Sequence, residues 1–259
     1  MSTPRPTTAV VRPPRGQENS GAALRFLESG TGQVQQATDW QAAIIDLDGT
    51  MVDTVGDFEA ALNAMLADLG LPGVDREFIT RTVGQGSAHL IRNTLTRVGA
   101  DLVADLGADP GLAERAWQHY QRHYLAVNGR FSVVYPGVAE GLALLRSAGL
   151  KLACVTNKPG NFARPLLAAK GLDRYFAHIF GGDAFARQKP DPLPLIEACA
   201  ALGSTPARTI AVGDSRNDAQ AANAAGCPLV LVSYGYNHSQ PIRELPAWQH
   251  LDRLDQLLL

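Results

Sequence analysis

Two aspartates that stand two positions apart are the first residues in this sequence that could do chemistry. Asp46 and Asp48 follow the apolar run AAII and precede Gly49. In an extended chain, residues i and i+2 project to the same side, so both carboxylates can face one point. The glycine then lets the backbone turn away. An isolated pair of this kind is more often a turn or a helix cap, so its interpretation depends on what else reaches the same point.

Other polar residues stand at the ends of predicted strands or in a loop before a predicted helix. They are Thr156 and Asn157 after KLACV, Asp214 and Asp218 after TIAVG, and Lys189 in RQKPDP. Ligands of an open α/β sheet bind outside the carboxyl ends of its strands. Carboxylates on one rim repel each other, and Mg²⁺, which takes few protein carboxylates, removes that repulsion. The set predicts phosphoryl transfer, with a carboxylate as nucleophile and a metal and a lysine as neutralising charges.

The composition is that of an ordinary globular protein. The 259 residues are 46% hydrophobic and 19% charged, and 23 basic against 25 acidic side chains give a net charge of -2. This balance gives no electrostatic reason to expect nucleic acid or an anionic membrane as a partner. No apolar run approaches the roughly 20 residues that span a bilayer. The scattered cysteines Cys154, Cys199 and Cys227 predict buried thiols in a reducing compartment, and hence a cytoplasmic protein.

The order of elements predicts an α/β fold, with a Rossmann-like doubly wound parallel sheet as the core and an inserted α-helical cap domain. Short apolar runs alternate with helical stretches through most of the chain, which is typical of a parallel sheet covered on both faces. Residues 56–131 instead show helical period and little strand signal. We therefore predict a cap at 56–131, a core at 39–55 and 132–259, and a disordered tail rich in proline and arginine at 1–38.

The stretches DLDGTMVDT, VTN, QKPDP and GDSRND resemble, in this order, the four motifs of phosphatases of the haloacid dehalogenase superfamily. The resemblance covers about residues 42–259. It implies that Asp46 is the nucleophile and Asp48 the general acid and base. It also implies that Thr156 binds the transferring phosphoryl group and that Lys189 neutralises it. One aspartate must then be ionised to attack while the other holds a proton to donate.

The same resemblance implies a Mg²⁺ cofactor and a cap. Asp214 would hold the ion beside the carboxylate of Asp46 and the main-chain carbonyl of Asp48, and Asp218 would act through water or from outside the direct ligands. The helical insert matches the position of the family's α-helical cap. The expected partner is a small phosphorylated metabolite, and the expected assembly is a monomer or a homodimer.

Within the superfamily, the sequence is most similar to bacterial phosphoglycolate phosphatases. The similar stretches are RTVGQGSAHLI, HYLAVNG, VTNKP and YGYNH. The resemblance implies hydrolysis of 2-phosphoglycolate through an aspartyl-phosphate. Three alternatives stay open: a phosphatase for another small sugar phosphate such as N-acetylmuramate 6-phosphate, a phosphomutase of the β-phosphoglucomutase type, and a non-catalytic binding protein.

Substrate contacts from the cap are predicted in the stretch from Arg81 to Arg92. Gly84 and Gly86 permit close approach of the backbone to a small dianion. Arg81 or Arg92 could supply positive charge. The alternative for each arginine is a solvated helix position. In the core, the predicted substrate contacts are Thr156, Asn157 and Lys189.

His119 and His123 have the i,i+4 spacing that can bind zinc from one helix. The stretch HYQRH lacks the glutamate of the HExxH motif, and no third ligand is evident from the sequence. The pair is therefore interpreted as structural or exposed. Cys154 lies inside a predicted strand and is interpreted as core packing rather than as a nucleophile.

Overall fold

The computed structural model describes residues 40–99, 111–237 and 241–257. The predicted tail at 1–38 lies outside the described residues, as does the segment 100–110 of the predicted cap. No helix in the described ranges has both the length and the apolar content needed to cross a membrane.

Eight strands in the described ranges form one sheet and one ribbon. They are β1 (Ala42–Ile45), β2 (Val52–Asp53), β3 (Val133–Val134), β4 (Lys151–Val155), β5 (His178–Phe180), β6 (Thr209–Gly213), β7 (Leu229–Val232) and β8 (Gln249–Leu251). Six of them form a parallel sheet in the order β5-β4-β1-β6-β7-β8, and β2 pairs with β3 in a separate antiparallel ribbon. Because β1 is central, residues that follow it lie between those that follow β4 and β6.

The central strand β1 is buried on both faces of the sheet. Ala43 and Ile45 belong to one buried apolar cluster, whereas Ala42 and Ile44 belong to another on the opposite face. Successive side chains of a strand point to opposite faces, so a strand covered twice must be apolar at every position. This requirement explains the uninterrupted run AAII.

Eight α-helices in the described ranges complete the fold. They are α1 (Val55–Asp68), α2 (Arg76–Thr82), α3 (Ser87–Val98), α4 (Leu112–Val127), α5 (Val138–Ser147), α6 (Gly160–Ala169), α7 (Leu193–Leu202) and α8 (Arg216–Ala225). Leu142 of α5 and Leu166 of α6 pack on one face of the sheet, and Leu195 of α7 and Ala222 of α8 pack on the other. The predicted α/β fold with a Rossmann-like parallel sheet is confirmed.

The helices α1 to α4 gather around an apolar cluster of their own. This cluster includes Phe58 and Leu62 of α1, Leu90 of α3, and Tyr120 and Tyr124 of α4. The chain runs into these helices from β2 and returns from them through β3, so the ribbon marks both crossings. We propose that the cap begins after residue 55 and ends before residue 132. The ribbon of β2 and β3 lies next to both of these boundaries.

A buried carboxylate ties the two crossings together. Asp57, in the first turn of α1, is completely buried and accepts hydrogen bonds of 2.7 Å from the backbone N–H groups of Gly129 and Phe131. The hydroxyl of Ser132 also donates to it. A buried charge is tolerated when several donors satisfy it. The beginning of α1 is therefore fixed to the segment that follows α4.

Candidate active site

Asp46 and Asp48 leave β1 at the carboxyl edge of the sheet. The N–H of Asp46 still donates to the carbonyl of Val212 in β6, at 3.0 Å, so the first aspartate is held by the sheet. Gly49 follows with a φ of 84°. A Cβ at Gly49 would lie only 2.2 Å from Oδ2 of Asp214. The glycine is thus needed both for the turn and for the close approach of another carboxylate.

Asp214 follows β6 and is almost completely buried. Its Oδ1 accepts a hydrogen bond of 2.9 Å from the hydroxyl of Thr50, and its Oδ2 accepts one of 2.5 Å from the N–H of Tyr236. Burial raises the pKa of Asp214 well above its usual value, and the charges of Asp218 and Asp46 raise it further. This carboxylate is held rigidly in a place where its negative charge is unfavourable without a cation.

Lys189 bridges two of the carboxylates. Its Nζ lies 2.8 Å from Oδ1 of Asp46 and 2.7 Å from Oδ1 of Asp218, and it donates a hydrogen bond of 2.9 Å to the carbonyl of Val155. Burial alone lowers the pKa of Lys189, but the charges of Asp218 and Asp46 outweigh it and the net shift is upward. The lysine is therefore a permanent cation beside Asp46.

Both carboxylate oxygens of Asp218 already accept hydrogen bonds from other residues of the protein. While its Oδ1 faces Lys189, its Oδ2 accepts from the N–H and the hydroxyl of Ser215, at 3.1 and 2.6 Å. Ser215 is the N-cap of α8, and its hydroxyl in turn accepts from the N–H of Asp218 in a capping box. This arrangement suits a residue that positions Lys189 and the start of α8.

The carboxylates form a cluster that could hold a divalent cation. One oxygen from each of Asp46, Asp214 and Asp218 lies within 4.8 Å of the others. Burial raises the pKa of Asp46 to about 7, although Lys189 opposes the shift, and the charges of Asp218 and Asp48 add to it. Lys189 pairs with two of these carboxylates and supplies a single positive charge, so ionising all three leaves an excess of negative charge. A hard divalent cation with oxygen ligands fits that excess.

Thr156 and Asn157 follow β4 and reach the same rim. Thr156 is buried, and its hydroxyl accepts a hydrogen bond of 3.2 Å from the N–H of Lys158. The side-chain amide of Asn157 donates to the carbonyl of Lys189 at 2.8 Å and to the carbonyl of Gly84 at 3.0 Å. Asn157 thus links the lysine loop of the core to the loop between α2 and α3.

Lys158 is a functional candidate that the sequence analysis missed. Its side chain is only 1% exposed, and Nζ donates a hydrogen bond of 2.9 Å to Oδ1 of Asp48. The same ammonium lies 4.3 Å from the ring centroid of Phe58 and 4.7 Å from that of Tyr124, both in the helical insert. Such contacts stabilise a desolvated cation. The stretch VTNKP contained this lysine, but nothing in the sequence joined it to Asp48.

A pocket lies between the rim and the helical insert. Its lining consists of Asp46, Asp48, Phe58, Val83, Gly84, Gly86, Ser87, Leu90, Thr156, Asn157 and Lys158. The carbonyl of Gly84 accepts from Asn157 and, at 3.3 Å, from Asn217. A Cβ at Gly86, where φ is 84°, would lie 3.3 Å from the carbonyl oxygen of Asn157. The loop from Thr82 to Ser87 therefore rests directly on the rim.

The arginines of the insert lie elsewhere. Arg81 is on the exposed side of α2, where its guanidinium pairs with Glu77 at 2.5 Å, and it is not among the residues that line the pocket. Arg92 is exposed on α3. The helical phase explains this placement, because Leu90 and Ile91 occupy the buried face of α3. Cys154 is completely buried in the sheet, and burial raises the pKa of its thiol, so it packs in the core.

Comparison with known proteins agrees with this geometry. The profile of the haloacid dehalogenase-like hydrolases matches residues 40–226. Phosphoglycolate phosphatase of Thiobacillus denitrificans is 43% identical over 205 residues, which cover 79% of this chain and 88% of that protein. The plasmid-encoded phosphoglycolate phosphatase of Cupriavidus necator is 46% identical over 195 residues, covering 75% and 81%. The crystal structure of a predicted phosphoglycolate phosphatase from Haemophilus somnus is 30% identical and superposes with a TM-score of 0.78, covering 84% of this chain and 96% of that one. With the profile spanning most of the chain, this protein belongs to the haloacid dehalogenase-like hydrolases.

Proposed function

We propose that this protein is a Mg²⁺-dependent phosphomonoesterase that hydrolyses 2-phosphoglycolate to glycolate and phosphate through an aspartyl-phosphate on Asp46. One observation carries the proposal: the same pocket is lined by Asp46 and Asp48 and by a region suited to an anion, formed by Gly86, Ser87 and Lys158. The names of the relatives at 43% and 46% identity support the same substrate.

The first half of the reaction uses the groups around Asp46. A carboxylate oxygen of Asp46 forms a bond to phosphorus while the bond between phosphorus and the ester oxygen breaks. Asp48 gives its proton to the departing glycolate oxygen. Lys189 offsets negative charge on the phosphoryl oxygens, and the hydroxyl of Thr156 holds one of them. In the second half, the oxygen of a water forms a bond to phosphorus while the bond between Asp46 and phosphorus breaks. Asp48 takes the proton from that water, phosphate is released, and the Asp46 carboxylate is restored.

Mg²⁺ is the cation that we assign to the carboxylate cluster. Asp46 and Asp214, whose carboxylate oxygens lie within 4.8 Å of each other, would hold it directly, and the family resemblance adds the main-chain carbonyl of Asp48. Asp218 would act through water, since its oxygens already serve Lys189 and Ser215. When bound, the ion lowers the repulsion between the nucleophile and the phosphate dianion.

The second anion site is formed by the beginning of α3 and by Lys158. Gly86 is the N-cap of α3 and offers no side chain to the first turn. The first N–H groups of a helix have no intrahelical acceptor and carry the positive end of the helix dipole. Gly86 and Ser87 line the pocket together with Lys158. We assign the carboxylate of 2-phosphoglycolate to this region, while its phosphoryl group meets Asp46 and Lys189.

The remaining wall of the pocket favours a short substrate over a sugar phosphate. Phe58, Val83 and Leu90 supply apolar side chains there. The ring hydroxyls of N-acetylmuramate 6-phosphate or of a glucose phosphate lose their water on binding and need new hydrogen-bond partners. These three side chains offer none.

Phosphate release from 2-phosphoglycolate, N-acetylmuramate 6-phosphate and β-glucose 1-phosphate tests the proposal. We expect kcat/KM for 2-phosphoglycolate to exceed the other two by on the order of 10²-fold. A higher value for N-acetylmuramate 6-phosphate would assign the enzyme to sugar phosphates. Interconversion of glucose phosphates without phosphate release would make it a mutase.

A further inference from the structure

A cluster of metal-binding side chains lies on the helical insert, apart from the catalytic carboxylates. His119 and His123 of α4 meet Asp68 at the end of α1. Nδ1 of His119 lies 2.8 Å from Oδ2 of Asp68, and Nε2 of His123 lies 2.6 Å from the same oxygen. The sequence offered no third ligand for the histidine pair because Asp68 is separated from His119 by 51 positions. Folding brings it into place.

The geometry of this cluster brings three possible ligand atoms together. The two ring nitrogens and the carboxylate oxygen lie within 4.8 Å of one another. In a tetrahedral site with bonds of about 2.0–2.1 Å, ligand atoms stand roughly 3.3–3.5 Å apart. The two nitrogen–oxygen distances would therefore have to lengthen by roughly 0.5–0.9 Å to admit an ion. The side chains of His119, His123 and Asp68 are 27%, 26% and 32% exposed. An ion can therefore reach them from solvent.

We propose that Asp68, His119 and His123 form a second metal site, on the surface of the helical insert, that binds Zn²⁺ or a similar divalent transition metal ion. Two imidazole nitrogens and one carboxylate oxygen are a common donor set for zinc. Mg²⁺ prefers oxygen ligands, so a site with two imidazole nitrogens binds it weakly. The proposed site and the catalytic cluster therefore select different ions.

In this cluster the guanidinium of Arg122 supplies the positive charge beside Asp68. Its Nη2 lies 2.5 Å from Oδ2 of Asp68, 3.0 Å from Nδ1 of His119 and 3.4 Å from Nε2 of His123. A guanidinium has no lone pair to offer a metal ion, so it competes with the ion for Asp68. Its side chain is 62% exposed and can turn out into water. Removing it should make the site bind metal more tightly.

The ion would join two helices that already pack together. Asp68 is the last residue of α1, and the histidines lie on the flank of α4 next to Tyr120 and Tyr124, which face the apolar cluster. An ion held by both helices binds only the folded insert. Its binding therefore stabilises the insert by mass action.

Zn²⁺ titration of the full chain tests the proposal. The protein is freed of metals with a chelator and returned to excess Mg²⁺, which saturates the catalytic cluster. We expect isothermal titration calorimetry to show one Zn²⁺ per chain, and Co²⁺ to give the visible absorption of a tetrahedral site. Asp68→Asn, His119→Ala and His123→Ala should each weaken binding by at least about tenfold. Arg122→Ala should strengthen it.

Two control variants separate this site from others. His178→Ala removes an exposed histidine of β5, which belongs to the six-stranded sheet and not to the helical insert. This change should leave the Zn²⁺ titration unchanged. Asp214→Asn damages the catalytic cluster and should also leave it unchanged. Circular dichroism and the thermal midpoint in Mg²⁺ verify that each variant is folded. Zn²⁺ binding that survives the double change His119→Ala/His123→Ala, that disappears in Asp214→Asn, or that is absent from the wild type would overturn the proposal.

Discussion

Lys158 donates a hydrogen bond of 2.9 Å to Oδ1 of Asp48, from a side chain that is almost completely withdrawn from solvent. The hydroxyl of Thr54 donates to the same oxygen at 2.7 Å. Both donors hold Oδ1, so the exchange of a proton with substrate or water falls to the other oxygen of Asp48. The orientation of the acid and base is therefore set from two elements, the loop after β4 and the turn before α1.

Replacing Lys158 tests this orientation. Lys158→Met keeps an unbranched chain between the rings of Phe58 and Tyr124 but removes the hydrogen bond to Asp48. We expect kcat/KM for 2-phosphoglycolate to fall by on the order of 10²-fold, because general acid catalysis depends on position. An aryl phosphate has a better leaving group and should lose much less. Because Lys158 also lines the proposed site for the substrate carboxylate, the loss in kcat, rather than the rise in KM, reports on Asp48. Equal losses for the two substrates in steady-state kinetics would contradict this role.

The nucleophile is tested by Asp46→Asn. The amide has the same shape as the carboxylate but is a poor nucleophile, so turnover should disappear while the fold is retained. Phosphate release measures the first effect, and circular dichroism with a thermal melt measures the second. Near-wild-type rates in Asp46→Asn would rule out the covalent route.

Metal-free protein should lose stability as the pH rises. Burial raises the pKa of Asp46 from 3.8 to about 7, and it raises the pKa of Asp214 as well. The folded state keeps a proton that the unfolded chain has released, so the contribution of Asp46 is complete below about pH 4 and is lost through about pH 7. Mg²⁺ favours the ionised carboxylates and should reverse the loss. We expect the Mg²⁺-induced gain in melting temperature to be larger at about pH 8 than at about pH 5.

The outcome that contradicts this expectation is a Mg²⁺ effect that is independent of pH between those values. Asp214→Asn serves as the control. It removes one of the two carboxylates whose pKa is raised. The melting temperature of the metal-free protein should then depend less on pH, and Mg²⁺ should raise it by less.

The loop over the rim is tested by Gly86→Val. The new side chain would stand close to Asn157 and to Gln188, at a φ that disfavours branched residues. The loop should then close less well, and KM for 2-phosphoglycolate should rise by roughly tenfold, more than KM for an aryl phosphate that needs less closure. Gly70→Val is a matched control. Gly70 also has a positive φ, of 68°, but a Cβ there meets nothing within 4 Å.

Both glycine variants should lower the melting temperature, because both force a β-branched residue into the left-handed region. Only Gly86→Val should alter the ratio of the two kcat/KM values. An unchanged ratio in Gly86→Val would remove the loop from the substrate-binding site.

Local sequence signals predicted five of the six strands of the sheet, including the edge strand β5, and left out β8 and the short ribbon. Strands β1, β4, β6 and β7 are covered on both faces and are apolar over most of their length, so their sequences reveal them. Strand β8, with the sequence QHL, lies at the edge of the sheet and carries no such run. The ribbon strands β2 and β3 have two residues each, too few for any periodicity.

The candidate site shows the same division between local and distant information. Asp46 and Asp214 stand directly after buried strands, where a parallel sheet gathers its ligands. The role of Lys158 depends on Asp48, which is 110 positions away, and on rings from two helices of the insert. Arg81 carried a charge that suited the substrate, but the direction of its side chain depends on how α2 is rotated against its neighbours. Neither fact is encoded in a short stretch of sequence.

The ribbon of β2 and β3, fastened by Asp57, also bears on how such proteins diversify. Because the chain leaves and re-enters the core at neighbouring points, the strand order of the sheet does not depend on what is inserted between them. A genetic exchange at these two points could replace the whole insert, and with it the part of the pocket wall that the insert contributes, while Asp46, Lys189 and Asp214 keep their places. Exchange of one continuous segment can thus change the substrate preference of such a protein while its catalytic residues stay the same.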